Sequence, residues 1–131
     1  MSERRKLGIL VGGGPAPGIN AVIGAATIRA VLEAVEVVAI EEGFEWIMLG
    51  DLSHVRPLTI ENTSRMHFRG GSHIGTSRAN PTTSPELLET TVRSLMSLGV
   101  NRLITIGGDD TAFSAMKLEE CAAGRIRVAH V

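Results

Sequence analysis

The sequence predicts an α/β chain with a doubly wound, mostly parallel sheet, and three observations lead there. Short apolar runs at residues 7–11, 35–40, 103–106 and 126–131 alternate with segments of helical pattern. The first and third runs end in glycine clusters, at 12–14 and 107–108, as strands do where they turn sharply into helices. Such alternation calls for right-handed crossovers, which stack helices on both faces of a parallel sheet and place ligands at the carboxyl ends of its strands.

Taken in order, Leu-Gly-Ile-Leu-Val at 7–11 reads as a buried strand. From about Pro17 to Glu33 the residues are mostly Ala, Val and Ile, a helix with proline near its first turn and neighbours on more than one side. Residues 35–40 form a second strand. The stretch 41–60 is ambiguous, with an extended edge at 55–59 because Pro57 excludes a central strand. Residues 61–68 suggest a short helix with Thr59 as a possible cap, and 72–84 is loop chemistry. Residues 85–98 place Leu87, Leu88, Val92, Leu95 and Met96 on one helical side, with Ser84 as N-cap and Gly99 as C-cap. A strand at 103–106, a helix from about Thr111 to Ala122 and a strand at 126–131 complete the pattern.

The chain has 131 residues, 44% hydrophobic and 21% charged, one domain's worth of an ordinary globular composition. Its net charge of −1 and 3% aromatic content exclude a phosphate-backbone or base-stacking nucleic-acid binder. No apolar run approaches a membrane span, and nothing at the N-terminus reads as a signal peptide, so no membrane partner is expected. A single cysteine, Cys121, permits no internal disulfide and fits a reducing, cytoplasmic location.

Three glycine-rich loops hold the candidate chemistry. Gly12-Gly-Gly-Pro-Ala-Pro-Gly18 joins strand to helix, where bare N–H groups and a helix dipole can hold a phosphate; it can equally be a tight turn that lets the two pack. Its spacing matches neither the Walker loop nor the dinucleotide fingerprint. Gly70-Gly-Ser-His-Ile-Gly-Thr-Ser-Arg78 offers hydroxyls and one guanidinium able to fork onto phosphate oxygens, or is a solvated loop with an incidental arginine. Gly107-Gly-Asp-Asp-Thr111 sets two carboxylates at a strand end, suited to Mg²⁺; alternatively Asp110 caps the next helix and Asp109 is a turn residue. His54, His67, His73 and His130 lack metal-ligand spacing and read as surface or satisfied histidines, and Cys121 reads as packing.

In this order and spacing the three loops resemble those of the phosphofructokinase family along nearly the whole chain. The resemblance implies a Rossmann-like fold and phosphoryl transfer to the 1-hydroxyl of fructose 6-phosphate. It places Gly14, Arg78, Gly108, Asp109, Asp110 and Thr111 at the donor and assigns the metal, Mg²⁺, to Asp109. Asp110 takes the catalytic position that decides the donor. The ATP-using branch has glycine there and the pyrophosphate-using branch aspartate, so pyrophosphate is expected and ATP disfavoured. A carboxylate would fill and negatively charge the space that a nucleotide's α-phosphate needs.

Two effector-binding arginines of the bacterial ATP-dependent pattern are replaced by Gly24 and Ile28, which speaks against allosteric control by nucleotides. Family members continue past the equivalent of Val131 into a catalytic aspartate segment and a second, sugar-phosphate-binding lobe. Residues 1–131 are therefore expected to be the donor-phosphate-binding domain, inactive alone, of an enzyme that is a homo-oligomer when full length. Rival readings are an ATP-dependent enzyme of the same family, a member of the NAD kinase and diacylglycerol kinase group, a non-catalytic phosphate-binding or regulatory paralogue, and a dinucleotide-binding domain.

Overall fold

A computed structural model describes residues 5–13, 18–64 and 77–131. It contains five strands, β1 (Lys6–Val11), β2 (Glu36–Ile40), β3 (Val55–Leu58), β4 (Arg102–Ile106) and β5 (Arg127–His130), and four α-helices, α1 (Ile19–Leu32), α2 (Ile60–Ser64), α3 (Pro85–Ser97) and α4 (Asp109–Ala122). Among the described residues, two short 3₁₀ turns, Ile47–Leu49 and Pro81–Thr83, lie in segments that the sequence left as ambiguous or as loop.

The strand order is β3-β2-β1-β4-β5, with β1, β2, β4 and β5 parallel and β3 antiparallel to β2. The sheet is thus mostly parallel and doubly wound, as expected, and Pro57 sits on an edge strand where its missing N–H removes nothing from the interior. Chain order reverses direction between β1 and β4. Such a switch point opens a crevice at the carboxyl ends of its two strands, because the helices that follow them leave to opposite faces.

Both faces of the sheet are covered, so the central strands are mostly apolar rather than alternating with polar residues. Ile9, Val37, Ala39 and Ile106 pack with Ile23 and Ala30 of α1 on one side. Leu10, Val38, Ile40 and Leu103 pack with Val92 and Leu95 of α3 and Leu118 of α4 on the other. Cys121 packs against this second cluster, as its reading as a packing residue requires.

Several local details differ from the sequence reading. In α3, Thr91 and Ser94 are buried with Val92 and Leu95, while Met96 is 44% exposed. The helix is turned toward the 3₁₀ turn at Ile47–Leu49, where the Ser94 hydroxyl donates to the Ile47 carbonyl at 2.7 Å. Ser84 is the N-cap as expected, its Oγ accepting from Leu87 N at 3.1 Å. Leu98 is the C-cap, and Gly99, at φ +78°, follows in the left-handed position of a Schellman motif closed by Val100 N to Leu95 O at 2.9 Å. Helix α4 starts at Asp109 rather than Thr111, because Gly108 is the N-cap and its carbonyl accepts from Ala112 N at 3.0 Å. The suggested helix at 61–68 is present as α2 over Ile60–Ser64, and residues 65–68 lie outside the described residues. Among the described residues no helix is long and apolar enough to cross a membrane.

Candidate functional site

The switch point places the Gly12–Gly13 and Gly107–Gly108 turns side by side. Gly12 N donates to Ile106 O at 2.8 Å, and β1 and β4 run in register up to Val11 and Ile106. Two of these glycines are explained by packing alone. A Cβ on Gly12 would overlap Thr111 Oγ1, and one on Gly107 would lie 2.6 Å from Thr111 Oγ1 and 2.8 Å from Gly12 O. The buried Thr111 side chain fills the seam where the two turns meet. Gly108 differs, since a Cβ there would meet nothing within 4 Å. Gly18 is glycine for its backbone, at φ +85°.

A third segment is tied onto this edge. Gly13 N donates to Ser77 O at 2.8 Å, and Gly12 and Ser77 form an isolated parallel bridge. The bridge brings Arg78 to a cavity of about 500 Å³ that it lines with Gly12, Gly13, Gly18, Ile19 and the whole run 107–111.

Two helices begin at that cavity, and neither is capped by a side chain. The N-caps of α1 and α4 are Gly18 and Gly108, neither with a side-chain cap bond. The first N–H groups of an α-helix have no intrahelical acceptor, so both ends present bare donors and positive partial charge. Arg78 makes no ion pair among the described residues, which leaves its five N–H groups for a ligand. Against these stand the exposed carboxylates Asp109 and Asp110 in the first turn of α4. In that position each is an N1–N2 residue favoured by the dipole, and the alternative of Asp110 as N-cap is not what the fold adopts.

Donors for an anion and carboxylates for a cation therefore share one cavity. Among the described residues no group of three or more His, Cys, Asp and Glu could enclose a metal. That composition fits a hard cation held by one or two carboxylates and completed by oxygens of a bound phosphate and water, the usual manner of Mg²⁺, and does not fit an all-protein cage.

Behind Asp110 lies a second cavity of about 120 Å³, lined by Phe44, Ser77, Asn80 and Ser114. Gly13, Arg78, Asp110 and Thr111 line both cavities. The Ser114 hydroxyl donates to Asn80 Oδ1 at 3.2 Å, and Asn80 is itself fixed by Thr82 N at 2.8 Å.

Of the residues singled out by sequence, Arg78, Gly108, Asp109, Asp110 and Thr111 come together at this cavity. Gly14 lies outside the described residues, as do His67, His73 and most of the second glycine loop. Sequence reasoning missed Ser77, whose role depends on pairing with a strand end more than sixty residues earlier. His130, read from sequence as a surface or satisfied histidine, is exposed and has Nε2 3.0 Å from Gly107 O.

The chain is similar to known proteins. The family profile "Phosphofructokinase" matches residues 6–131. The chain is 54% identical over 131 residues to a pyrophosphate–fructose 6-phosphate 1-phosphotransferase of Thermotoga maritima, covering 100% of this chain and 31% of the relative. It is 35% identical over 114 residues to an ATP-dependent 6-phosphofructokinase of Lactobacillus helveticus, covering 87% of this chain and 35% of that one. The solved phosphofructokinase of Saccharomyces cerevisiae superposes with a TM-score of 0.84 at 22% identity, over 97% of this chain and 20% of that one. The chain thus spans about a third of the length of the curated relatives it matches.

Proposed function

The chain belongs to the phosphofructokinase family, and from that premise we propose that it is the donor-binding part of a pyrophosphate-dependent phosphotransferase acting on fructose 6-phosphate. The observation that carries the reading is the convergence of two helix N-termini without side-chain caps, one arginine and two adjacent carboxylates on a single cavity. A pyrophosphate has the chemistry these groups lack: strongly accepting oxygens for the N–H groups and Arg78, and oxygens to complete a cation held at Asp109. The relative at 54% identity is named for pyrophosphate, and the one named for ATP is 35% identical.

In this reading each group has one task. The N–H groups of 108–111 and of the start of α1 donate to the donor's oxygens, and the open space at Gly108 lets a phosphate approach the backbone. Gly14 belongs to the same loop and is assigned the same task. Arg78 forks onto a phosphoryl group and fixes its orientation. Asp109 would hold the cation, for which Mg²⁺ is the assignment, and a cation there would supply neutralisation of phosphoryl charge. Thr111 holds the two glycine turns together beneath the donor. Asp110 closes the passage to the second cavity with a negative charge, so the longer polyphosphate of a nucleotide meets both repulsion and lost space. The acceptor sugar phosphate and the base that takes its hydroxyl proton are assigned to parts of the longer protein. Catalysis by this part is positioning and charge neutralisation, which suits phosphoryl transfer.

Isothermal titration tests the reading. The chain is expected to bind pyrophosphate more tightly with Mg²⁺ than without, and ATP weakly or not at all. Losing a charge-assisted hydrogen bond removes about 1.5–3 kcal/mol, so Arg78→Ala should weaken pyrophosphate binding by about 10- to 100-fold. Asp110→Gly should admit ATP. Equal affinity of the unaltered chain for ATP and pyrophosphate, or no pyrophosphate binding at all, would refute the proposal.

A further inference from the structure

Gly107 is held at both of its polar groups by the last strand. Its N–H donates to Val131 O at 3.3 Å, and its carbonyl lies 3.0 Å from His130 Nε2. The other ring nitrogen, Nδ1, is 2.9 Å from Thr105 Oγ1. Thr105 and His130 are register partners in the β4–β5 pair, so their side chains share a face of the sheet. A carbonyl oxygen only accepts, which requires the proton on Nε2 and leaves Nδ1 to accept from the Thr105 hydroxyl. Thr105 is fully buried, so the anchor of this chain of bonds is fixed in the core.

Gly107 and Gly108 carry no side chains, and a peptide between two glycines rotates more freely than any other. A trans peptide holds its C=O and N–H on opposite sides. Fixing the Gly107 carbonyl toward His130 therefore turns the Gly108 N–H to the far side, where Gly108 lines the cavity and its N–H finds no acceptor among the described residues.

We propose that His130 is a positioning residue for the donor site, a clamp from Thr105 through the ring to the Gly107 carbonyl that aims the Gly108 N–H at a bound phosphate. The inference rests on the reading of the cavity as a pyrophosphate site. His130 itself touches neither donor nor cation. It acts by removing the freedom of one peptide before the ligand arrives, which raises affinity by preorganisation.

The test compares His130→Ala with His130→Gln, whose side-chain amide can still donate to the Gly107 carbonyl, in titrations with pyrophosphate and Mg²⁺. With titrations made at temperatures where every variant is folded, we expect the alanine variant to bind about tenfold more weakly and the glutamine variant to recover to within about threefold, the scale of one hydrogen bond. In the unligated chain, ¹⁵N shifts of the ring should show the Nε2–H tautomer, and the Gly108 amide should exchange faster in the alanine variant. Equal affinity of the alanine variant and the parent, a glutamine variant as weak as alanine, or an Nδ1–H tautomer overturns the clamp. If the parent fails to bind pyrophosphate, the functional reading fails instead, and the ring tautomer and Gly108 exchange still decide whether His130 holds the peptide.

Discussion

Replacing Gly12 with alanine should destabilise the fold through a single neighbour, and the size of the effect can be worked out from the seam between the two turns. The new methyl would overlap Thr111 Oγ1 and approach Thr111 Cγ2 to 3.0 Å and Cβ to 3.2 Å. Forcing a methyl into a packed site costs about 1–3 kcal/mol. With an m-value of about 2 kcal/mol/M, that is a fall of about 0.5–1.5 M in the urea midpoint. The offending atoms belong to one side chain, so Thr111→Ala removes the two closest. In Gly12→Ala/Thr111→Ala the loss should therefore be smaller than the sum of the single losses by about 1 kcal/mol or more, a coupling that a double-mutant cycle resolves. Gly107→Ala behaves differently, because its Cβ would also lie 2.8 Å from Gly12 O, and a backbone atom held at the end of a central strand does not move aside as a side chain does. Thr111→Ala should rescue it less. Gly108→Ala, with nothing within 4 Å, should change stability by no more than about 0.5 kcal/mol. Additive behaviour of Gly12 and Thr111, or full rescue of Gly107→Ala, would refute the reasoning.

Two smaller predictions concern the ends of the molecule's local structures. Ala34 ends α1 at φ 59°, in a Schellman arrangement closed by Val35 N to Ala30 O at 2.8 Å. A side chain in that conformation is strained, so Ala34→Gly should stabilise by about 0.5–1 kcal/mol in urea unfolding; a loss of stability would contradict it. Asp51 accepts from the Ser53 hydroxyl at 2.6 Å and the Ser53 N–H at 2.9 Å, which with His54 nearby hold its carboxyl below the ordinary aspartate range. A carboxyl lowered on folding contributes stability above its ordinary range and loses it as pH falls through the lowered value. Ser53→Ala should move the Asp51 titration, followed by carboxyl ¹³C NMR, back toward higher pH; an unmoved midpoint would remove Ser53 as the cause.

The strands and the glycine turns were legible in the sequence because their signals are local. An apolar run of five residues followed by glycines needs no knowledge of its neighbours, and the central strands β1 and β4 are where the runs predicted them. The grouping of residues 108–111 at one cavity was legible for the same reason, since they share one turn. What escaped is set by contacts between distant segments. The burial of Ser94 in place of Met96 depends on Ile47 O, and nothing within α3 announces it. The antiparallel direction of β3 could not be read from 41–60, where turns and a 3₁₀ segment replace a recognisable crossover helix. His130 looked like any surface histidine until register placed it opposite Thr105. The start of α4 was missed by two residues because an acidic first turn and an acidic cap look alike in sequence.

The placement of β4 beside β1 has a consequence for how the chain folds. The centre of the sheet joins segments ninety-five residues apart, as in the bond from Lys6 N to Asn101 Oδ1 at 3.1 Å. Closing so long a loop is entropically late, and topologies dominated by such pairings fold slowly. The cavity lies at this long-range junction and is not contained in any one local unit. A partly folded chain can own its helices and its β1–β2 pair and still lack this cavity. Ligand binding should therefore appear with the slowest phase of refolding, as a signal that the two halves of the sheet have met.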